Sequence, residues 1–407
     1  MSEGVRKRGK TWSYYFDAAK VDGKRNKVEK SGFRTKKDAM EARTAAVNEY
    51  NNTGRTFSPN DISVADYLDY WLENAIRKNI NHGYSHNTYR IYEAKIRIHI
   101  KPCFGKYRLS AFQYSSDKVQ EWVDSLKLKG LSKSTIKNCL TCLQGAMNYA
   151  VMPLKYIQNN PCLPIKIGKM PIDMDAKAHT EYVLTKEEFE AIVERFPPSN
   201  YFNISLVLPY NIGTRISETF AIDLLHDVDF KNHEVSIRNQ LIKIEKTWFF
   251  KPPKYDSYRT VKIGKTLEKA LKEVIKTRKI NQMKYGGEFL KTYVLPDKSI
   301  IQVPADISAD ETEIMPLCTK DNGELLTPKS FQYCAKVIHN ELGNLLFHSH
   351  SLRHTHGTVL AENGVNPKTV MERLGHKDIS TTLRTYTFNT EVMQQKAVDI
   401  FEKAMNS

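Results

Sequence analysis

Cysteine is scarce in this chain, with six scattered residues among 407. So few thiols exclude a disulfide-built scaffold and indicate a reducing cytoplasm. Cys139 and Cys142 form a CxxC pair, but no second Cys or His pair follows at zinc-finger spacing. The pair lies within an apolar helical pattern. Core packing is therefore the favoured interpretation, and a metal site is the alternative.

Long hydrophobic runs are lacking as well. No apolar stretch reaches the ~18–20 residues that a membrane span needs. The basic N-terminus is not followed by the apolar segment of a signal peptide. We therefore expect a cytoplasmic protein.

Acidic residues are fewer than basic ones. The chain has 46 Asp and Glu and 61 Lys and Arg, which gives a net charge of +15. A basic balance of this size predicts a polyanionic partner, nucleic acid before a membrane surface. Ribosomal or heparin-type binding fits the charge equally well, so charge alone does not choose. The length favours two or three domains, and 41% hydrophobic residues suffice for a core in each.

Residues 1–57 are predicted to form a small basic unit of β-sheet and one helix. Side chains alternate along 12–18, a second strand follows over 25–33, and a helix begins near Lys36. Residues 1–60 hold 14 Lys and Arg against 7 Asp and Glu. A β-ribbon laid into a DNA groove is the favoured hypothesis, and a solvated sheet face is the alternative. The candidate DNA contacts are Lys10, Tyr15, Lys24, Arg25 and Lys27.

Residues 61–165 carry four amphipathic helical segments with short connections, which predicts a helical bundle. At the start of the fourth segment stand Lys133, Ser134 and Lys137, where the backbone N–H groups of a helix terminus attract phosphate. A solvated helix end is the alternative reading of these three residues.

Residues 175–390 mix helical and strand patterns, which predicts an α+β domain. Strands are expected over 227–237, 240–250 and 260–263. The segment 284–327 is mixed in pattern, with an acidic run at 305–313, and it is interpreted as a surface insertion. An amphipathic tail helix is expected within 391–407. The predicted fold is thus multidomain and mainly α-helical, with small β-sheets.

The end of the third unit gathers groups that suit phosphodiester chemistry. His350 and Arg353 lie three residues apart at the start of a predicted helix, His376 follows a helix end, and Tyr386 lies in the last turn of a short helix. A guanidinium matches a phosphate, and a tyrosine with a pKa near ~10 needs a cationic pocket to act as a nucleophile. A metal site at His350 and His354 is the alternative, although no Glu lies between them at a general-base position.

Five motifs stand out in the C-terminal half of the chain: His350-Ser-Leu-Arg353-His354-Thr-His356-Gly-Thr, Leu374-Gly375-His376-Lys-Asp-Ile-Ser-Thr-Thr, Thr385-Tyr386, Gly213-Thr-Arg215-Ile-Ser-Glu218, and Pro253-Lys254 with Ser257 and Arg259-Thr260. Together they resemble the signature of the tyrosine recombinase (phage integrase) family, in which the Pro253-Lys254 motif would correspond to the β-hairpin lysine motif. The bundle resembles the family's core-binding domain. The N-terminal unit resembles the three-stranded arm-binding domain of integrases from temperate phages and conjugative transposons. The resemblance therefore covers nearly the whole chain.

The resemblance implies a role for each motif residue. Tyr386 would be the nucleophile. Arg215 and Arg353 would clamp the scissile phosphate. His350 and His376 would donate hydrogen bonds to it and assist proton transfer.

Two further residues complete the implied site. Lys254 would protonate the departing 5′-oxygen, and Glu218 would support the pocket. The implied activity is site-specific integration and excision of a mobile element through a 3′-phosphotyrosyl intermediate. Neither ATP, metal nor another cofactor is expected, because the covalent link stores the bond energy.

The implied partners are double-stranded DNA, at core and arm sites, and three further copies of this chain. An excisionase or a host DNA-bending protein would join them in the nucleoid of a bacterial host. The tail helix either packs on its own domain or, as in the family, reaches a neighbouring protomer. Two other functions stay open: a non-catalytic architectural DNA-binding protein, and a metal-dependent nuclease that uses the histidine cluster.

Overall fold

The structure, a computed structural model, describes residues 4–21, 24–53, 62–79, 83–170, 182–307, 309–378 and 391–405. The chain divides into two compact units, Met1–Pro171 and Ile172–Ser407. Helices predominate, and all paired strands run antiparallel in small sheets. Within the described ranges, no helix combines the length and apolar character needed to cross a membrane.

In its described residues, the first unit contains three strands followed by seven α-helices. Two of these helices continue into π-helical turns, Leu72–Ile76 after α2 and Ile96–Ile100 after α3. The bounds are β1 (Val5–Arg8), β2 (Thr11–Val21), β3 (Lys24–Phe33), α1 (Lys36–Thr53), α2 (Val64–Trp71), α3 (His86–Lys95), α4 (Lys101–Phe104), α5 (Leu109–Phe112), α6 (Ser116–Leu128) and α7 (Lys133–Val151).

The N-terminal sheet has the order β1-β2-β3, and it confirms the predicted alternation along β2. Tyr14 and Phe16 are buried, and α1 packs against β2 with Ala39 fully buried. Tyr15 and Asp17 occupy the alternate positions, because successive side chains of a strand point to opposite faces. The Asp22-Gly23 turn lies outside the described residues.

The helical bundle begins its helices where the sequence indicated. Ser63, Ser85 and Ser132 cap α2, α3 and α7, and each side chain accepts a hydrogen bond from a backbone N–H three residues ahead. Cys139 and Cys142 are buried free thiols on the inner face of α7. Their interpretation as core packing is therefore confirmed.

The second unit contains eight strands and eight described helices. Its bounds are α8 (Lys186–Arg195), α9 (Asn203–Ile212), α10 (Ile216–Thr219), β4 (Val228–Asp229), β5 (Glu234–Ile237), β6 (Gln240–Ile244), β7 (Thr247–Lys251), β8 (Arg259–Lys262), α11 (Lys265–Tyr285), β9 (Leu290–Val294), β10 (Ile300–Pro304), β11 (Thr312–Ile314), α12 (Phe331–Glu341), α13 (Ser349–Glu362), α14 (Pro367–Leu374) and α15 (Glu391–Met405).

The predictions of single strands over 227–237 and 240–250 were wrong, because each segment is a pair of strands. Asp229 Oδ1 accepts hydrogen bonds from the backbone N–H groups of Lys231 and Asn232, which closes a tight turn between β4 and β5. Glu245 turns the chain between β6 and β7 with a φ of 53°. Such turns are invisible to a pattern of apolar residues that simply continues through them.

The interpretation of 284–327 as a surface insertion was also wrong. The segment forms a sheet of order β10-β9-β11. Ile300, Ile314 and Leu317 belong to the main core of the second unit. The Leu317 backbone N–H donates to the Ile222 carbonyl at 2.9 Å, so the segment is joined to the chain just after α10. Its acidic residues concealed these buried positions.

Candidate active site

Gly213 joins two of the sequence motifs. It ends α9 in the left-handed region, with a φ of 69°, and its carbonyl accepts a hydrogen bond from Arg353 Nη1 at 2.7 Å. A Cβ here would overlap Leu374 Cδ2 and lie 2.9 Å from His356 Cδ2. Both the backbone conformation and the lack of space therefore demand glycine. The consequence is that Arg353 is fixed beside the loop that carries Arg215.

Glu218 is fully buried and binds two guanidinium groups. Its Oε1 lies 2.6 Å from Arg215 Nη1, and its Oε2 lies 2.7 Å from Arg259 Nη2. Burial alone would raise the pKa of Glu218, but Arg259, Arg215 and Arg353 hold it below its usual value. The carboxylate is therefore ionised and ties the α10 motif to the start of β8.

The same two arginines also bind the C-terminal end of α14. Arg215 Nη2 donates to the Gly375 carbonyl and Arg259 Nε donates to the Arg373 carbonyl, each at 2.9 Å. Gly375 has a φ of 66°, and a Cβ there would lie 2.8 Å from Arg259 Nη1. These bonds fix the chain immediately before His376.

The two candidate histidines lie within the field of this cluster. Burial, followed by the charges of Arg353, Arg215 and Arg259, lowers the pKa of His376 to about 3. Desolvation of the ring and the charge of Arg353 also lower the pKa of His350. Each ring is thus neutral near pH 7 and carries one N–H donor and one acceptor nitrogen.

Lys254 lies in the exposed turn Lys254–Asp256, between β7 and β8. These strands belong to different sheets, so the lysine motif is not on a β-hairpin here, contrary to expectation. The Lys254 Nζ lies 5.0 Å from the centre of the Tyr255 ring, and the Lys377 Nζ lies 5.9 Å from the same ring. The turn therefore borders the residue that follows His376.

Part of the predicted site falls outside the described residues. Tyr386 and the short helix expected to carry it lie there, and so do the side chains of Lys24 and Arg25, whose backbone belongs to β3. What the structure brings together is Arg215, Glu218, Arg353, His350 and His376, with Lys254 at the margin.

Sequence reasoning missed Arg259 as a member of the site. Only 7% of its side chain is exposed, and it touches both Glu218 and the end of α14. The available signal was its place in the Arg259-Thr260 motif after the lysine turn. Without such a motif, an arginine at the first position of a strand is expected to be exposed to solvent.

His356 belongs to the motif that begins at His350, although no role was predicted for it. The structure buries it beside the candidate site. Its Nδ1 lies 3.0 Å from the Tyr210 carbonyl and its Nε2 lies 2.9 Å from Arg373 Nε. Because the carbonyl only accepts and the guanidinium only donates, the ring must be neutral with its proton on Nδ1. Burial, together with the charge of Arg373, lowers the pKa of His356 to about 4.

The metal alternative has no arrangement to support it in the described part of the chain. No group of three or more His, Cys, Asp or Glu there is placed to hold a metal ion. The rings of His348, His350 and His354 stand 6.3 to 6.4 Å apart between centroids.

The candidate DNA-binding face of the N-terminal sheet is built around Tyr15. Lys27 Nζ lies 4.1 Å and Arg6 Cζ lies 5.4 Å from the centre of its ring. Glu29 pairs with Arg6 at 2.6 Å, with Arg8 at 3.4 Å and with Lys27 at 3.8 Å. Three cations thus share one carboxylate and leave the face positive. The other candidates are exposed: Lys10, Lys133, Ser134 and Lys137.

We expect the His356→Gln substitution to flatten the acid side of the stability profile. A folded-state pKa below the usual 6.5 means that the unfolded chain binds the proton more readily. The neutral His356 ring therefore contributes its full stabilisation of the folded state above pH ~6.5, and this contribution is lost as the pH falls toward 4. Glutamine keeps one donor and one acceptor without titrating. Hydrogen exchange of α13 amides, corrected for the intrinsic pH dependence, should show about 1–3 kcal/mol less loss between pH 6.5 and 4 in the variant.

The control for that experiment is His86→Gln, in the first unit, which should leave the α13 profile unchanged. Equal pH slopes for His356→Gln and the unmodified chain would contradict the assignment of this proton.

Three family models match the chain. The model of the phage integrase family matches residues 182–392, an arm DNA-binding domain matches 4–45, and the N-terminal SAM-like domain of phage integrases matches 63–127. The three matches follow one another along the chain without overlap.

Two curated relatives extend the comparison. A tyrosine recombinase XerC-like protein of Caldanaerobacter subterraneus subsp. tengcongensis is 26% identical over 377 residues, which cover 90% of this chain and 89% of the relative. The transposase of transposon Tn916 from Enterococcus faecalis is 27% identical over 299 residues, which cover 69% of this chain and 65% of that protein.

Solved structures share the fold. The Tn1549 transposon integrase in complex with a circular intermediate DNA gives a TM-score of 0.63 at 22% identity, over 83% of this chain and 99% of that one. A lambda integrase dimer bound to a core site gives 0.55 at 15% identity, over 95% of each chain. Since residues 182–392 are just over half of the 407, the chain belongs to the phage integrase family, the tyrosine recombinases.

Proposed function

We propose that this recombinase integrates and excises a mobile element by cutting and rejoining DNA strands at specific sites. The observation that carries the proposal is the convergence of Arg215, Glu218, Arg353 and His376 at the end of α14. Two guanidinium groups and two neutral imidazoles around one cleft suit a phosphodiester, whose non-bridging oxygens gain charge as phosphorus becomes five-coordinate.

In the proposed cleavage step, the phenol oxygen of Tyr386 attacks the phosphorus of the scissile phosphate, and the phenol proton passes to the acceptor nitrogen of a neutral imidazole, His350 or His376. The bond from phosphorus to the 5′-oxygen breaks, and that oxygen takes a proton from the Lys254 ammonium. The products are a 3′-phosphotyrosyl link and a free 5′-hydroxyl. Attack by the 5′-hydroxyl of a partner strand reverses the step and rejoins the DNA. The chain's own residues supply every proton in this sequence.

The arginines act on the phosphate and on the histidines at the same time. Without DNA, their charges lower the pKa of His376 and His350. A bound phosphate anion offsets those charges, so both pKa values rise when the substrate arrives. The imidazoles then suit proton transfer during the reaction, whereas they stay neutral before it.

Each of the three units predicted from the sequence has its own proposed function. We propose that residues 1–57 bind arm sites and 61–165 bind core sites, while 175–390 carry out the chemistry. The lambda integrase has been solved as a tetramer on a Holliday junction, and we propose the same number of protomers here. An excisionase or a host DNA-bending protein would set the direction, in the cytoplasm of a bacterial host.

A covalent adduct tests the chemistry directly. On a nicked suicide duplex of the core site, identified from sequenced insertion junctions, the wild-type chain should form a protein–DNA adduct in the presence of chelator. Tyr386→Phe should abolish it, because the nucleophilic oxygen is gone. Denaturing gel electrophoresis reports the adduct. Tyr333→Phe, which alters an exposed tyrosine of α12, should leave it unchanged.

Each competing function predicts a different outcome of the same assay. A non-catalytic architectural protein would give no adduct on a site that it binds. A metal-dependent nuclease would cut without an adduct and would stop in chelator. If Tyr386→Phe still formed the adduct, a residue other than Tyr386 would be the nucleophile.

The assignment of the general acid has a matched control in the same loop. Lys254→Ala should slow cleavage by roughly 10²–10⁴-fold. A duplex with sulfur in place of the 5′-bridging oxygen should restore the rate, since a thiolate leaves without a proton. Lys251→Ala, at the end of β7, should change the rate only a few-fold. If Lys251→Ala lost more of the cleavage rate than Lys254→Ala, or if the sulfur-containing duplex did not restore the rate of Lys254→Ala, Lys254 would not be the general acid.

The tail helix α15 is proposed to contact a neighbouring protomer. Val398 and Phe401 on this helix are 49% and 66% exposed, and Lys396 Nζ donates to the Glu362 carbonyl of α13. Deletion of the residues after Asn389 should therefore impair synapsis more than DNA binding. Gel-shift titration and a synapsis assay separate the two. A truncated chain that assembles and recombines normally would refute the proposed contact.

A further inference from the structure

The second unit contains a cavity of about 470 Å³ that the proposed chemistry does not use. It lies among α8, α9, α11 and the 284–327 segment, and its wall is largely apolar. On α9 the lining residues come from the N-terminal half, whereas Gly213 of the active site follows the C-terminal end. The cavity is thus separated from the active site by roughly 10 Å along this helix. The apolar part of the wall is formed by Val193, Ile204, Val207, Val274, Phe289 and Leu317.

Arg278 of α11 contributes a buried cation to this wall. The residue is 6% exposed. Its Nη1 donates to Thr319 Oγ1 at 3.2 Å, and its Cζ lies 5.1 Å from the centre of the Phe289 ring. Within the described residues its Nε has no hydrogen-bond partner, and no carboxylate there lies within ion-pair distance. Burial lowers the pKa of Arg278 to about 10, and the more distant carboxylates of Glu313 and Asp223 offset that effect only in part.

A buried guanidinium such as that of Arg278 destabilises the folded state unless an anion or a hydrogen-bond acceptor pairs with it. A buried charge without an ion pair and a buried donor without an acceptor both disfavour the folded state. Folded proteins satisfy the large majority of buried side-chain polar atoms, so an exception at a cavity wall marks a place for a ligand.

The chemistry of the wall defines what would fit. A guanidinium pairs best with a carboxylate, and the apolar wall favours a hydrocarbon body. The rim carries charges of both signs, Lys269 and Lys320 beside Glu273 and Asp321, so it gives little net attraction for anions. Selectivity for a negative charge must therefore come from Arg278. Because its side chain is so deeply buried, the acid has to be small enough to enter the cavity.

We propose that this cavity, the Arg278 cavity, is a binding site for a small carboxylic acid with an apolar body. The carboxylate pairs with the Arg278 guanidinium, and the hydrocarbon lies against Val207, Val274 and Phe289. A volume of about 470 Å³ falls within the range of small-molecule pockets. The inference is independent of the recombination chemistry, because it uses none of the active-site residues.

Octanoate is the probe, titrated into the full-length chain and followed by calorimetry at physiological salt. One saturable site is expected. Octanamide, which has the same body without the charge, should bind at least tenfold more weakly. Arg278→Met should weaken octanoate to the same extent, whereas Lys269→Met, at the rim, should change its affinity less than threefold.

A second variant keeps the test valid if Arg278→Met folds poorly. Val274→Trp fills the cavity and leaves the arginine in place, and it should also remove octanoate binding. The proposal is overturned if octanoate does not saturate, if octanamide binds as well, or if both cavity variants bind normally. A peptide of residues 391–407 is titrated in parallel. Binding of that peptide but not of octanoate would make the cavity a protein docking site instead.

Discussion

The active-site architecture depends on one buried carboxylate. Glu218 binds Arg215 through one oxygen and Arg259 through the other, and the two arginines in turn bind carbonyls at the end of α14. Three chain segments that lie far apart in sequence are thereby held around one point. Removing one partner of such a buried set costs about 3–5 kcal/mol, since it leaves uncompensated charge in the interior. The same contacts that stabilise the domain therefore also hold the residues of the proposed active site together.

Glycine makes this arrangement possible at two helix ends. Gly213 and Gly375 both adopt left-handed backbone conformations, and a Cβ at either position would collide with a side chain of the site. Their carbonyls accept from Arg353 and Arg215 respectively. Each of these two arginines is thus oriented by a hydrogen bond to the backbone of another segment. A rigid pair of guanidinium groups needs little reorganisation when a phosphate binds, which is where electrostatic catalysis gains most.

Much of this could be predicted from the sequence, and the failures have physical causes. Ser63, Ser85 and Ser132 stand directly before helical patterns, where N-cap residues are expected. The spacing of residues brought out Arg353 and His376, and the resemblance to the family brought out Arg215. Arg259 was missed because its partner, Glu218, is 41 residues away, and no local pattern reveals such a pairing. The 284–327 segment was misread because its acidic positions outweighed the buried ones. The strand pairs at 227–250 were merged because tight turns interrupt no apolar pattern. Long-range contacts and turn chemistry are what single-sequence reasoning lacks.

A structure of the Tyr386→Phe chain bound to its core-site duplex would test the central claim most directly. Arg215, Arg353 and His376 should all lie within hydrogen-bond distance of the same phosphate, with Glu218 still bridging Arg215 and Arg259. The substituted residue 386 should face that phosphorus on the side opposite the 5′-oxygen. A complex in which the two arginines contact different phosphates, or in which the Glu218 bridge is broken on binding, would contradict the account.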